Sequence, residues 1–148
     1  MPLPKYIEPY WDAINVCAKY YGLDPFIIAG IGDRETRWGT HPACKPKGPE
    51  CTGDNGHGRG LMQIDDRFHS EWIKTGAWKD PRQNINYACN LLKANLASLG
   101  DLRAAVAAYN CGAGNVGKAL RRGLDVDAYT TGKDYSADVL KRAEKFRK

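Results

Sequence analysis

Asp24-Pro25 opens a run, Phe26-Ile27-Ile28-Ala29-Gly30-Ile31-Gly32, that is apolar on nearly every side of a helix. The aspartate suits an N-cap and the proline suits the first turn, so the start of the helix is well specified. A helix without a polar face cannot lie on a surface and must sit inside a core that other elements build. Ile28, Ile31 and Glu35 are spaced i, i+3 and i+7, which puts a carboxyl on the face of two isoleucines unless the helix unwinds at Gly32. Apolar surroundings penalise a carboxylate, so this side chain is expected to keep its proton to higher pH, as a general acid requires.

The rest of the chain supplies that core. Ile7, Tyr10, Trp11, Ile14, Cys17, Ala18 and Tyr21 repeat at helical spacing, and Gly22 is placed to end the run in a left-handed cap. Asp80-Pro81 repeats the cap-plus-proline signal before the stripe Ile85, Ala88, Cys89, Leu92, Leu96 and Leu99, which stops at Gly100. Asp101 is read as the cap of a helix over 102–110, broken by Gly112 and Gly114. A short helix is expected over 115–122, and Asp134 is read as the cap of a last one carrying Val139, Ala143 and Phe146. Between Trp38 and Gly60 glycine and proline are dense and no helical period survives, which predicts loops with at most one short β-hairpin. With no repeat and no linker composition, residues 1–148 are expected to form one mainly α domain.

Composition narrows the classes. No apolar run approaches the roughly 20 residues that span a bilayer, so no stable membrane insertion is expected. The net charge of +5 favours an anionic partner. Many of the cations lie late in the chain, from Lys118 to Lys148, with too few aromatics among them to stack bases, and nucleic acid is not expected. The first residues contain no apolar h-region, so no secretion signal is read in this chain. Five cysteines leave at least one thiol unpaired in a monomer. Cys17, Cys89 and Cys111 fall at helical positions that suit small buried thiols. Cys44 and Cys51 flank a turn-rich loop that a disulfide could close in an oxidising compartment. With His41 and His57 they also spell His-x2-Cys-x6-Cys-x5-His, which matches no common zinc template, so neither a metal nor a cofactor is expected.

After Glu35 comes the polar, glycine-punctuated stretch from Gly53 to Asp65, which carries Asp54 and Asp65. One candidate acid and two candidate carboxylates are what cleavage of a glycosidic bond calls for. One group protonates the leaving oxygen, and another activates water or stabilises the oxocarbenium-like charge.

Four blocks together resemble goose-type lysozymes and their cousins, the soluble lytic transglycosylases: Gly32-Asp33-Arg34-Glu35-Thr36, Asp54 to Asp65, Ala107 to Val116, and Asp134-Tyr135-Ser136-Ala137-Asp138-Val139. The resemblance implies an α+β lysozyme-like fold, one helical domain with a substrate cleft. It implies action on the β-1,4 bond between N-acetylmuramic acid and N-acetylglucosamine in bacterial peptidoglycan. By position Glu35 matches the family's acid, and Asp54 and Asp65 match aspartates that place or activate water. Gln63, His69, Tyr109, Asn110 and Tyr135 match residues that line sugar subsites. Transglycosylases typically carry a non-acidic residue and proline where this chain has Asp65-Asp66, so hydrolysis with inversion is expected. A lyase that leaves 1,6-anhydro ends, and a wall-binding module whose chemistry has lapsed, are the alternatives.

Two departures from the family pattern stand out. Residues 40–53 form a longer connection, with Cys44 and Cys51, and Cys111 stands where alanine is common. The resemblance also implies a monomer, secreted or delivered to the bacterial wall; a phage-encoded form would be made in the host cytoplasm.

Overall fold

Helix α2 (Pro25–Thr36) lies in the middle of the molecule in the computed structural model, which describes residues 2–148. Asp24 caps it by accepting from the Phe26 N–H at 2.9 Å, and residues 27–33 are all buried. The helix runs through Gly32 without unwinding. That glycine is there for packing, because a methyl group would overlap the buried indole of Trp38, whose Nε1–H donates to the Ala29 carbonyl at 3.0 Å. Gly30 plays the same part on the other side, where a Cβ would lie 2.7 Å from the Val139 carbonyl oxygen of α7 (Tyr135–Arg147). Two small residues thus let α7 and the Trp38 turn close directly on the central helix.

Around this pair pack α1 (Glu8–Tyr21), α4 (Pro81–Leu99) and α5 (Leu102–Cys111), with α3 (Ser70–Lys74) and α6 (Ala113–Arg121) at the margins. Gly22 and Gly100 end α1 and α4 in left-handed caps, at φ 68° and 70°. Asp80 and Asp101 cap α4 and α5 as expected, accepting from the N–H groups of Arg82 and Ala104 at 2.9 Å. The short α3 has no counterpart in the sequence reading; five residues are too few to show a period.

Asp134 is a correction: its side chain makes no cap on α7 and turns to Arg34 instead, at 3.2 Å. The first N–H groups of α7 are taken by Asp127, from the preceding loop, which accepts from Ser136 at 2.8 Å and Ala137 at 3.1 Å. A buried aspartate, 1% exposed, therefore does the capping from eight residues upstream.

Three two-residue strands, β1 (Thr52–Gly53), β2 (Gly58–Arg59) and β3 (Ile64–Asp65), form an antiparallel sheet in chain order. Thr52 faces Arg59, and Gly58 faces both Gly53 and Asp65. The expected hairpin thus gains a third strand. Cys44 and Cys51 are joined by a disulfide, which resolves the pairing left open above and removes both sulfurs from any zinc set. Cys17 and Cys89 are buried thiols; Cys111, expected among them, is only half-buried. Among the described residues no helix is long and apolar enough to cross a membrane.

Candidate active site

Glu35 occupies the last full turn of α2, where the core gives way to the surface. The Tyr135 hydroxyl, from the first turn of α7, donates to its Oε2 at 2.6 Å. Burial pushes the Glu35 carboxyl up to about 7; the Tyr135 hydrogen bond and the Arg34 charge act against this, and the negative charge of Asp54 adds to it. Arg34 is fixed by the α7 region, donating to Asp138 at 2.8 Å, the Thr131 carbonyl at 3.0 Å and Asp134 at 3.2 Å. On the next turn face Asp33 accepts from Tyr6 at 2.8 Å and Arg142 at 2.6 Å. The acid is therefore held in place by neighbours that are themselves held.

Asp54 stands at the tip of the β1–β2 hairpin with φ 51°, a left-handed position that aspartate tolerates better than most residues. Asp65 ends β3. Arg67, which sequence reasoning missed, ties the two together. One Nη2 donates to Asp54 at 2.8 Å and to Asp65 at 2.7 Å, and its Nε and backbone N–H also reach Asp65, at 3.0 and 2.8 Å. Hydrogen bonds from Arg67 hold the Asp65 carboxyl below the usual carboxylate range. Asp66 takes no part in the pair: it accepts from Arg59 at 2.9 Å and meets His57 Nδ1 at 2.8 Å, bracing β2. His57, Asp65 and Asp66 bring ligand-type atoms within 4.8 Å of one another. Two guanidiniums already balance the carboxylates there, so the cluster is accounted for as an ion-pair network.

Beside these carboxylates runs a groove of about 570 Å³ between the β3–α3 segment and the α5–α6 corner, with α4 as its floor. Gln63, Asp65, His69, Tyr109 and Asn110 line it. Tyr135 does not: it is 1% exposed, and its hydroxyl is committed to Glu35. The expectation that it lines a sugar subsite gives way to a hydrogen bond that holds the Glu35 carboxyl.

The amides and rings on the groove are partly committed to the fold. The Gln63 carboxamide donates to the Gly60 and Cys51 carbonyls, at 2.9 and 3.2 Å, and packs where a Cβ on Gly53 would come within 2.7 Å of its oxygen. Asn110 clasps Thr131, accepting from its N–H at 2.8 Å and donating to its Oγ1 at 3.2 Å. Tyr109 donates to the Met62 carbonyl at 2.6 Å; burial, then the Glu35 charge, push its phenol well above the ordinary value. His69 meets the Tyr87 hydroxyl at 2.7 Å, and burial lowers its pKa, with Asp65 acting the other way. Asn84, also unforeseen, is fully buried and braces the turn before Gln63 through Met62 N–H at 2.8 Å and the Arg59 and Trp78 carbonyls. Nothing in a single sequence marks these asparagine and arginine roles, since Asp54 lies 13 residues from Arg67, and Met62 and Arg59 lie 22 and 25 residues from Asn84.

A sheltered carboxyl, two aspartates sharing one guanidinium and a groove lined by amides and one phenol make up a glycosidase-type site. The family model "Lysozyme g" matches residues 4–148. Lysozyme g of Cyprinus carpio is 35% identical over 150 residues, covering 95% of this chain and 74% of its own. Those of Casuarius casuarius and Dromaius novaehollandiae are each 34% identical, again over 95% of this chain and over 74% and 67% of theirs. The chain belongs to the lysozyme g, or goose-type lysozyme, family, and is by that membership a glycoside hydrolase.

Proposed function

We propose that this chain hydrolyses the β-1,4 bond between N-acetylmuramic acid and N-acetylglucosamine in peptidoglycan by a single displacement that inverts the anomeric carbon. Glu35 gives its proton to the glycosidic oxygen as the bond to the anomeric carbon breaks. A water held by Asp54 and Asp65 attacks the opposite face of the sugar and loses its proton to that pair. The observation that carries the reading is the contrast in protonation. Glu35 is held up at about 7 by burial, while hydrogen bonds from Arg67 hold Asp65 down and the same guanidinium pairs with Asp54. A proton donor and a proton acceptor thus coexist near neutral pH.

The second reading, a lytic transglycosylase, uses the substrate's own 6-hydroxyl as nucleophile and needs no aspartate pair. The shared Arg67 clamp favours hydrolysis, because it builds a second carboxylate centre that a lyase would leave idle. The setting we infer is outside the reducing cytosol, secreted or delivered to the bacterial wall. The Cys44–Cys51 disulfide and the net charge of +5 both suit it. We take the working unit to be a monomer.

Digestion of purified peptidoglycan, with mass spectrometry of the fragments and NMR of the first-formed anomer, tests this. Reducing muramic ends that appear first as the α anomer are expected. Ends of 1,6-anhydro type would establish the lyase, a first-formed β anomer would rule out inversion, and intact murein would leave only a binding module.

A further inference from the structure

Phe68 is 78% exposed, an unfavourable setting for a phenyl ring that folding could have buried. Tyr20 is as exposed, at 80%, but lies on α1 away from the groove, whereas Phe68 forms part of the groove wall. The backbone that presents Phe68 is tightly held. Its own N–H donates to the Asp65 carbonyl at 3.3 Å, and Arg67 before it is bound to both aspartates. His69 after it is held by Tyr87, which stacks on Trp72 with ring centroids 4.0 Å apart. An exposed ring on an anchored segment is set in position rather than left loose.

Two further amides face the groove with it, among apolar neighbours such as Ile64 and Leu91. Asn95 and Asn115 spend their Nδ2 groups on the Ala105 and Cys111 carbonyls, at 3.2 and 2.8 Å, which leaves each Oδ1 to accept from a hydroxyl or an amide. A pyranose ring has the matching character, with a C–H face that rests on an aromatic ring and an equatorial rim of donors. Glu35 does not line this groove, whereas Asp65 does, so a sugar resting on Phe68 lies on the same wall as the aspartate pair.

We propose that Phe68 is a stacking platform for one sugar of the N-acetylated glycan strand, and that it sets how long a strand the enzyme grips. The inference rests on the muramidase reading above and adds a positioning residue to it. Because the platform holds substrate and transition state alike, its loss weakens binding without slowing the chemical step.

Phe68→Ala should raise KM on peptidoglycan roughly tenfold, with kcat within about twofold of the parent, and Phe68→Trp should restore KM. Thermal stability should stay within about 2 °C, since the ring is exposed and supports no core. In a parallel arm, binding of the N-acetylglucosamine hexamer to Glu35→Gln protein should weaken about tenfold when Phe68→Ala is added, while binding of the dimer hardly changes. A parent-like KM in Phe68→Ala, or unaltered hexamer affinity, overturns the platform and leaves the muramidase reading standing. A parent that neither cuts peptidoglycan nor binds the hexamer overturns both.

Discussion

The α2–α7 seam and the small sheet carry the same functional group in opposite settings. On the seam, Glu35 lies in the last turn of a helix whose residues 27–33 are buried, and a tyrosine sealed at 1% exposure donates to its carboxyl. On the sheet, Asp54 rides a hairpin tip with its side chain 60% exposed and a guanidinium for company. Burial favours the protonated carboxyl, as at Glu35, and hydrogen bonds from a guanidinium favour the ionised one, as at Asp65, so location rather than residue type decides which carboxyl keeps its proton. The two regions are also held together differently. Arg34, Asp33, Asp138 and Arg142 link α2 to α7 in a connected set of ion pairs, whereas the strands are two residues each and depend on Gln63, Asn84 and Asp66 for bracing.

Removing the acid breaks the comparison most severely. Glu35→Gln should lower turnover about a thousandfold or more. It should also stabilise the fold at pH 8, and the sign follows from linkage. A carboxyl raised from 4.5 to about 7 contributes fully below 4.5, and that contribution is lost as pH rises through 7. The glutamine variant has no charge to bury, so its advantage should be absent at pH 4 and reach at most about 3 kcal/mol at pH 8, read from melting curves at both pH values. An equal difference at the two pH values would show that Glu35 is not the strained group.

On the sheet side the effect should be smaller. Arg67→Ala frees Asp54 from Asp65 and should cost roughly ten- to a hundredfold in kcat, because the water is then poorly placed while the acid is untouched. The alkaline limb of its pH profile should move slightly upward, because the Asp54 charge that raises Glu35 loses its counter-ion. A downward move of that limb would contradict the coupling between the two regions.

How much of this could be read from the chain depends on how local each cause is. Asp24-Pro25, the all-apolar run after it and the glycine stops are local signals, and α1, α2, α4 and α5 follow from them to within a residue or so. Glu35 was legible for the same reason, because helical spacing alone ties it to Ile28 and Ile31. The capping of α7 was not, since Asp127 reaches it from a loop while the adjacent Asp134 is drawn to Arg34, 100 residues away in sequence. Tyr135 shows the same limit: its position suggested a cleft residue, but packing of α7 on Gly30 turns its hydroxyl to Glu35. The three-stranded sheet left no period because each strand is two residues long, and its register comes from side chains folded back on it, Gln63 above all. The arm of the Arg67 bridge that reaches Asp54 crosses 13 residues to another strand's hairpin. What unites these misses is that each contact is made between elements that only the completed fold brings together.

The most direct test is to titrate Glu35 itself, following its side-chain carboxyl carbon by NMR in selectively labelled protein, alone and with Tyr135→Phe. The account predicts a midpoint of about 7 in the parent, an alkaline fall in activity at the same pH, and a further upward move in the variant, because the hydroxyl that favours the carboxylate has gone. A midpoint near 4.5 in the parent, or a downward move in Tyr135→Phe, would contradict the claim that burial against α7 makes this carboxyl the acid.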